Sequence, residues 1–215
     1  MPSRDLLMAP SGSTAATDPY SQYNALLLTG DGTNGAQNNT FLDSSTNAYS
    51  ITRTGNPTQG SFSPYGTLWS NYFDGLNSNN YLSVGSSNNT DWAFGTGDFT
   101  VEFWFFAPGA ATGNSQYQAA MGCYGGGSGW LIYNGGGNNN LSWYSMSKSF
   151  GLTYTPNQWN HFAVSRTSGV TKGFINGVQQ QSVSDTSNYG TDANHPFTIG
   201  AYWQSASIQA TSYFT

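Results

Sequence analysis

Charged residues are what this sequence has least of. Lys and Arg number 5 and Asp and Glu 10, together 7% of 215 residues, where an ordinary soluble domain carries about 25%. Five cations against a net charge of -5 make no basic footprint for phosphates, which excludes a nucleic-acid binder. The single cysteine, Cys123, excludes an internal disulfide framework and any multi-cysteine zinc site. No apolar run approaches the ~20 residues that span a bilayer as a helix. The opening Met1-Pro2-Ser3-Arg4-Asp5 has no apolar stretch of signal-peptide type, so the expectation is a product made in the cytoplasm without export.

What the sequence does have is 14 Tyr, 13 Phe and 7 Trp set among 27 Gly and many Asn, Ser and Thr. Aromatic and β-branched residues favour strands, while Gly and Asn punctuate turns. The composition is all-β, and the length suffices to bury roughly 70% of the unfolded chain's surface. Residues 1–20 lack periodicity and are expected to form an extended arm, with Leu6, Leu7 and Met8 as its apolar anchor. Such an arm either frays, as chain ends do, or orders against a partner. Residues 21–215 form the folded unit.

From Asn24 onward short strands alternate with turn clusters. Apolar Ala25-Leu26-Leu27-Leu28 closes at Gly30-Asp31-Gly32, and Tyr49-Ser50-Ile51-Thr52-Arg53 alternates with period two. Asn71-Tyr72-Phe73 and Tyr81-Leu82-Ser83-Val84 follow. The clearest strand is Phe99 to Phe106, with Phe99, Val101, Phe103 and Phe105 on one face and Thr100, Glu102, Trp104 and Phe106 on the other. Aromatics on both faces toward its end predict a central strand covered on both sides there. Trp130–Tyr133 and Leu141–Met146 flank a Gly/Asn-rich tip and read as a hairpin. Trp159–Ser165 turns at Ser168-Gly169 and returns through Thr171–Ile175 to Asn176-Gly177, the strongest hairpin signal in the chain. Pro196 to Gly200 is the last clear strand. Many short strands with regular turns predict a β-sandwich or barrel.

Two stretches carry a family resemblance. One is Phe73-Asp74-Gly75, Tyr81-Leu82-Ser83-Val84, Phe94-Gly95 and Asp98-Phe99-Thr100-Val101-Glu102-Phe103-Trp104. The other is Gln158-Trp159-Asn160-His161-Phe162-Ala163-Val164-Ser165-Arg166 with Gly169, Lys172 and Phe174-Ile175-Asn176-Gly177. In this order and spacing they resemble the laminin G-like, or concanavalin A-like, jelly-roll superfamily, from about residue 24 to the end. The resemblance implies a two-sheet antiparallel jelly-roll sandwich, with Asp74 and Asp98 accepting backbone hydrogen bonds in turns. It also implies a further closing strand after Ile199-Gly200, where Ala201-Tyr202-Trp203, a polar loop and Ser212-Tyr213-Phe214-Thr215 follow instead; either this is the front part of a longer product or the closing strand comes from elsewhere. An open sheet edge able to pair with a neighbouring subunit or segment is therefore expected.

Glucanases of this fold carry paired carboxylates on one strand. Glu102 is the only Glu, and its same-face neighbours are Thr100 and Trp104, so the retaining-glycosidase pair is missing. His161 belongs to the fold pattern, His195 has no recognisable catalytic neighbours, and Cys123 reads as a small buried residue. No catalytic residue is expected and no enzyme. Laminin G-like relatives often hold one Ca²⁺ at the sandwich rim, for which Asp185 and Asp192, with Asn188 and Asn194, are weak candidates against solvated turn residues. Tyr133, Tyr144 and Trp203, beside Asn- and Gly-rich loops, are candidates for stacking on a glycan. In style the sequence resembles virion proteins of tailed bacteriophages, which implies a structural, decoration or tail role in many copies. Its partners would then be other virion proteins or further copies of itself, through the arm and the open edge. The alternative is a free carbohydrate-binding module or lectin, with or without calcium.

Overall fold

The computed structural model describes residues 21–28, 40–60, 62–65, 69–73, 80–85, 90–107, 118–125, 129–134, 139–191, 194–204 and 207–209. The expected arm with Leu6, Leu7 and Met8, the Asp74 turn, Asp192 and residues 210–215 lie outside them.

Among the described residues fifteen strands are formed: β1 (Ile51–Thr54), β2 (Thr58–Gly60), β3 (Ser70–Tyr72), β4 (Tyr81–Val84), β5 (Phe99–Phe106), β6 (Gln118–Gly122), β7 (Trp130–Asn134), β8 (Asn140–Ser145), β9 (Ser149–Thr153), β10 (Trp159–Thr167), β11 (Val170–Ile175), β12 (Val178–Ser184), β13 (Phe197–Ile199), β14 (Tyr202–Gln204) and β15 (Ser207–Gln209). A seven-stranded sheet runs β1-β4-β13-β6-β7-β8-β9 and a four-stranded sheet runs β12-β11-β10-β5. The pairs β2–β3 and β14–β15 are separate ribbons. All ladders between these strands are antiparallel. This is the expected all-β jelly-roll sandwich.

Turn chemistry sets the four-stranded sheet. Thr167 pairs with Val170 across Ser168-Gly169, and Ile175 with Val178 across Asn176-Gly177. All four turn residues have positive φ, 50°, 74°, 52° and 77°, the geometry a two-residue type I′ hairpin needs. Asp98 caps the first turn by accepting a hydrogen bond from Ser168 N, a turn role as expected. Alternation then divides the side chains. Phe99, Val101, Phe103, Phe105, Phe162, Val164 and Ile175 join the core, which the facing sheet fills with Ile132, Leu141, Trp143 and Leu152. Phe94, Phe99, Trp130 and Trp143 stack in a continuous run with centroids 4.4 to 5.3 Å apart. Two core indoles are satisfied: Trp130 Nε1 donates to Trp92 O at 2.9 Å and Trp143 Nε1 to the Tyr189 hydroxyl at 3.3 Å, whereas the Trp92 indole N–H has no hydrogen-bond partner among the described residues. Cys123 is buried, as read.

Two expectations are corrected. Residues 25–28 form no strand, because side-chain and loop partners take the backbone: Leu27 N donates to Asp43 Oδ1 and Leu27 O accepts from Ser44 N. Ala25 and Leu26 still pack on the core. β5 is not central among the described residues, where its only hydrogen-bonded neighbour is β10. Its second aromatic face is covered by residues 62–65 instead of by another strand.

Candidate functional site

The outer face of the four-stranded sheet carries an aromatic platform. Cross-strand register places Phe106 opposite Trp159, Trp104 opposite His161 and Glu102 opposite Ala163. Period-two alternation points these side chains away from the core that Phe103, Phe105 and Phe162 fill. Phe62 packs edge-on against Phe106 at 4.8 Å and leans on Trp159 at 5.3 Å. Tyr65 meets Trp104 edge-on at 5.7 Å, and the His161 ring lies 5.2 Å from Trp104. In contact with both rings, Trp104 still exposes 41% of its surface. Beside it the Glu102 side chain is 61% exposed and approaches His161 Nε2 at 3.6 Å.

Burial pushes the His161 imidazole below its ordinary pKa, and the nearby Glu102 carboxylate opposes this without cancelling it. The ring is therefore neutral at pH 7, with Glu102 the charge on the platform. Tyr65 is raised, first by burial, with the Trp104 hydrogen bond opposing and Glu102 adding to the rise. The arrangement offers a flat exposed indole, a carboxylate acceptor at its rim and a neutral imidazole. Of this set the sequence weighs only Glu102 and His161 for chemistry, and sets both aside as catalytic groups; Trp104, Phe106 and Trp159 read there as strand residues alone. The signal for Trp104 was its even-numbered place on β5, since an outward Trp at a sheet edge is either covered or available.

The three expected stacking residues are not brought together. Tyr133 and Tyr144 lie on the outer face of the seven-stranded sheet with rings edge-on at 5.9 Å, and Tyr124 meets Tyr144 at 5.4 Å. Together with Leu131 and Tyr202 they form a small cluster of their own. The Tyr124 and Tyr144 hydroxyls both reach the Met146 sulfur, at 3.6 and 3.7 Å. Tyr202 enters this cluster, so its neighbour Trp203 faces the other way along β14 and stacks on His195 at 4.5 Å. The Trp203 indole N–H is enclosed and has no hydrogen-bond partner among the described residues.

The calcium candidates fare differently again. Asp185 is a buried structural acceptor. Its Oδ2 accepts from the Thr171 and Tyr189 hydroxyls, both at 2.6 Å, and its Oδ1 from Ser187 N at 3.0 Å. A carboxylate so committed is not presented to a rim cation. Asn188 is exposed on the following loop and Asn194 is exposed beyond it. Among the described residues no three His, Cys, Asp or Glu side chains gather in a metal-holding group.

No curated protein matches the sequence. Several solved structures share the fold at low identity. The botulinum neurotoxin serotype G binding domain is 15% identical with a TM-score of 0.60, covering 81% of this chain and 42% of that chain. The receptor binding domain of botulinum neurotoxin D is 18% identical with a TM-score of 0.63, covering 84% and 45%. A third is a botulinum neurotoxin type C structure, for a toxin whose cell entry depends on interaction with two ganglioside molecules. It is 16% identical with a TM-score of 0.59, covering 81% and 42%. The chain thus spans less than half the length of each, and the likeness is one of fold. Residues 76–214 match a laminin G family, and with that span of the sandwich accounted for, the chain belongs to the concanavalin A-like lectin/glucanases superfamily.

Proposed function

We propose that this chain is a non-enzymatic glycan-binding module whose contact surface is the platform around Trp104. The observation that carries the reading is an indole 41% exposed yet packed against Tyr65 and His161, with the Glu102 carboxylate beside it. A pre-positioned ring binds the apolar face of a sugar without first having to be ordered, and the carboxylate accepts its hydroxyl hydrogens. Receptor binding by the toxin domains of similar fold, one of them a ganglioside-dependent toxin, supports a glycan partner. Trp104→Ala is expected to weaken glycan binding at least tenfold, about 1.4 kcal/mol, with the thermal midpoint nearly unchanged. Tyr133→Ala and Tyr144→Ala are expected to leave binding within twofold. Titration calorimetry with calcium and with a chelator tests this, and indifference to Trp104 would refute it.

A second reading has the chain held in many copies in a bacteriophage virion, as a decoration or tail protein, through residues 1–20 and an open sheet edge. The observation favouring it is that β5 has a strand neighbour on one side only among the described residues, and such an edge is a template for another chain. Composition supplies the rest of its support. The two readings are compatible if the platform faces outward from an assembly.

A further inference from the structure

Resting on the glycan reading of the Trp104 platform, we infer that the module selects uncharged sugars and discriminates against sialylated, uronic and sulfated ones. The argument begins with where the cations are. The five basic residues are Arg4, Arg53, Lys148, Arg166 and Lys172, and Arg4 lies outside the described residues. Arg166 is fully buried and spends its guanidinium inside, donating to Gly97 O, Ser187 O and Gly95 O, each at 2.7 Å, between the rings of Phe99 and Tyr189. Arg53, on β1 of the other sheet, reaches Asn56 and Pro57 O. Lys148 sits in the β8–β9 turn, also of the other sheet.

Besides the inward, buried Arg166 of β10, Lys172 is the cation on the platform's sheet. On β11 it pairs with Ser165 of β10, two strands across and two residues along from Glu102, roughly 12 Å between backbones at ordinary strand spacings. Among the described residues the ion-pair contact of Glu102 is with His161 and not with Lys172. The charge beside Trp104 is therefore the Glu102 carboxylate, with His161 neutral next to it. A sugar carboxylate or sulfate seated here meets a like charge and, among the described residues, finds no guanidinium or ammonium beside the ring to pair with. The repulsion alone costs about fivefold in affinity at contact distance in water, and the unmet desolvation of the anion adds to it. Neutral hexose and N-acetylhexosamine rings meet no such penalty and supply the hydroxyl donors that Glu102 accepts.

An array of neutral oligosaccharides printed beside their sialylated and sulfated counterparts tests the inference with the full chain. Neutral members are expected to bind in a Trp104-dependent way, with each acidic counterpart at least tenfold weaker. Glu102→Gln, at an exposed position, is expected to raise the acidic-to-neutral ratio about fivefold, an effect that shrinks in 1 M salt. Acidic glycans binding through Trp104 as well as or better than neutral ones would overturn the selectivity while leaving the platform intact. Absence of any Trp104-dependent binding would instead overturn the glycan reading, and the selectivity with it.

Discussion

At the scale of single residues, the two charged groups buried among the described residues meet in one network. Arg166 and Asp185 are both buried, and both touch Tyr189, the guanidinium over its ring and the carboxylate at its hydroxyl. Burial by itself would raise the Asp185 carboxyl. The hydrogen bonds from Thr171, Tyr189 and Ser187 outweigh it and hold the group at about 2. Burial, with Asp185 as acceptor, pushes Tyr189 up to about 12. A carboxyl depressed in the folded state stabilises above its unfolded pKa near 4, and that contribution is lost as pH falls toward 2. The shift corresponds to about 2.5 kcal/mol. Asp185→Asn should therefore lower the thermal midpoint by about 5 to 10 °C at pH 7. The gap to the parent should be constant from pH 7 to about pH 5 and close as the pH drops from 4 to 2. A gap that stayed constant down to pH 2 would assign the loss to packing.

At the scale of elements, the hairpins were legible because their turns are local. Asn176-Gly177 reads as a type I′ turn from two letters, and the fold sets both residues at positive φ. Alternation in β5 likewise divided Phe99, Val101, Phe103 and Phe105 from Thr100, Glu102, Trp104 and Phe106 correctly, since the rule needs no partner strand. What could not be read was position in the sheet. Aromatics on both faces suggested a central β5, whereas its outer rings are covered by Phe62 and Tyr65, from a segment with no strand signal. For the same reason the platform was missed. Trp104 matters because of what lies across the ladder and over it, and neither neighbour is near in sequence. Gly122 shows the limit for spacing as well. It is one of 27 glycines, yet a Cβ there would lie 2.5 Å from Trp130 O and 2.9 Å from Leu131 Cα, next to the irregular β6–β7 register. Because the obstacle is backbone, Gly122→Ala should force β6 away from β7. It should destabilise the fold by about 1 to 3 kcal/mol, read as a lower urea midpoint at unchanged slope.

At the scale of the whole molecule, a sandwich has two outer faces, and here both are aromatic: Trp104, Phe62 and Tyr65 over one sheet, and Tyr124, Tyr133 and Tyr144 over the other. The two are not equivalent. The tyrosine face is closed in on itself, with Tyr202 and Leu131 buried beneath and two hydroxyls turned to Met146. The Trp104 face leaves its central ring open and carries an acceptor. A free glycan-binding module needs only that open face, whereas a subunit of a particle also needs a surface committed to its neighbours, and the β5 edge is one place the fold offers among the described residues. Native size separates the two. Material from the source, fractionated by mass with the chain located by peptide mass spectrometry, is expected to yield it as a free monomer or small oligomer that binds glycan unaided. Co-migration with large particles in many copies would transfer the argument to the β5 edge. Proline substitutions at β5 positions whose N–H points away from β10 should then release the chain from the particle, without abolishing a glycan affinity that depends on Trp104.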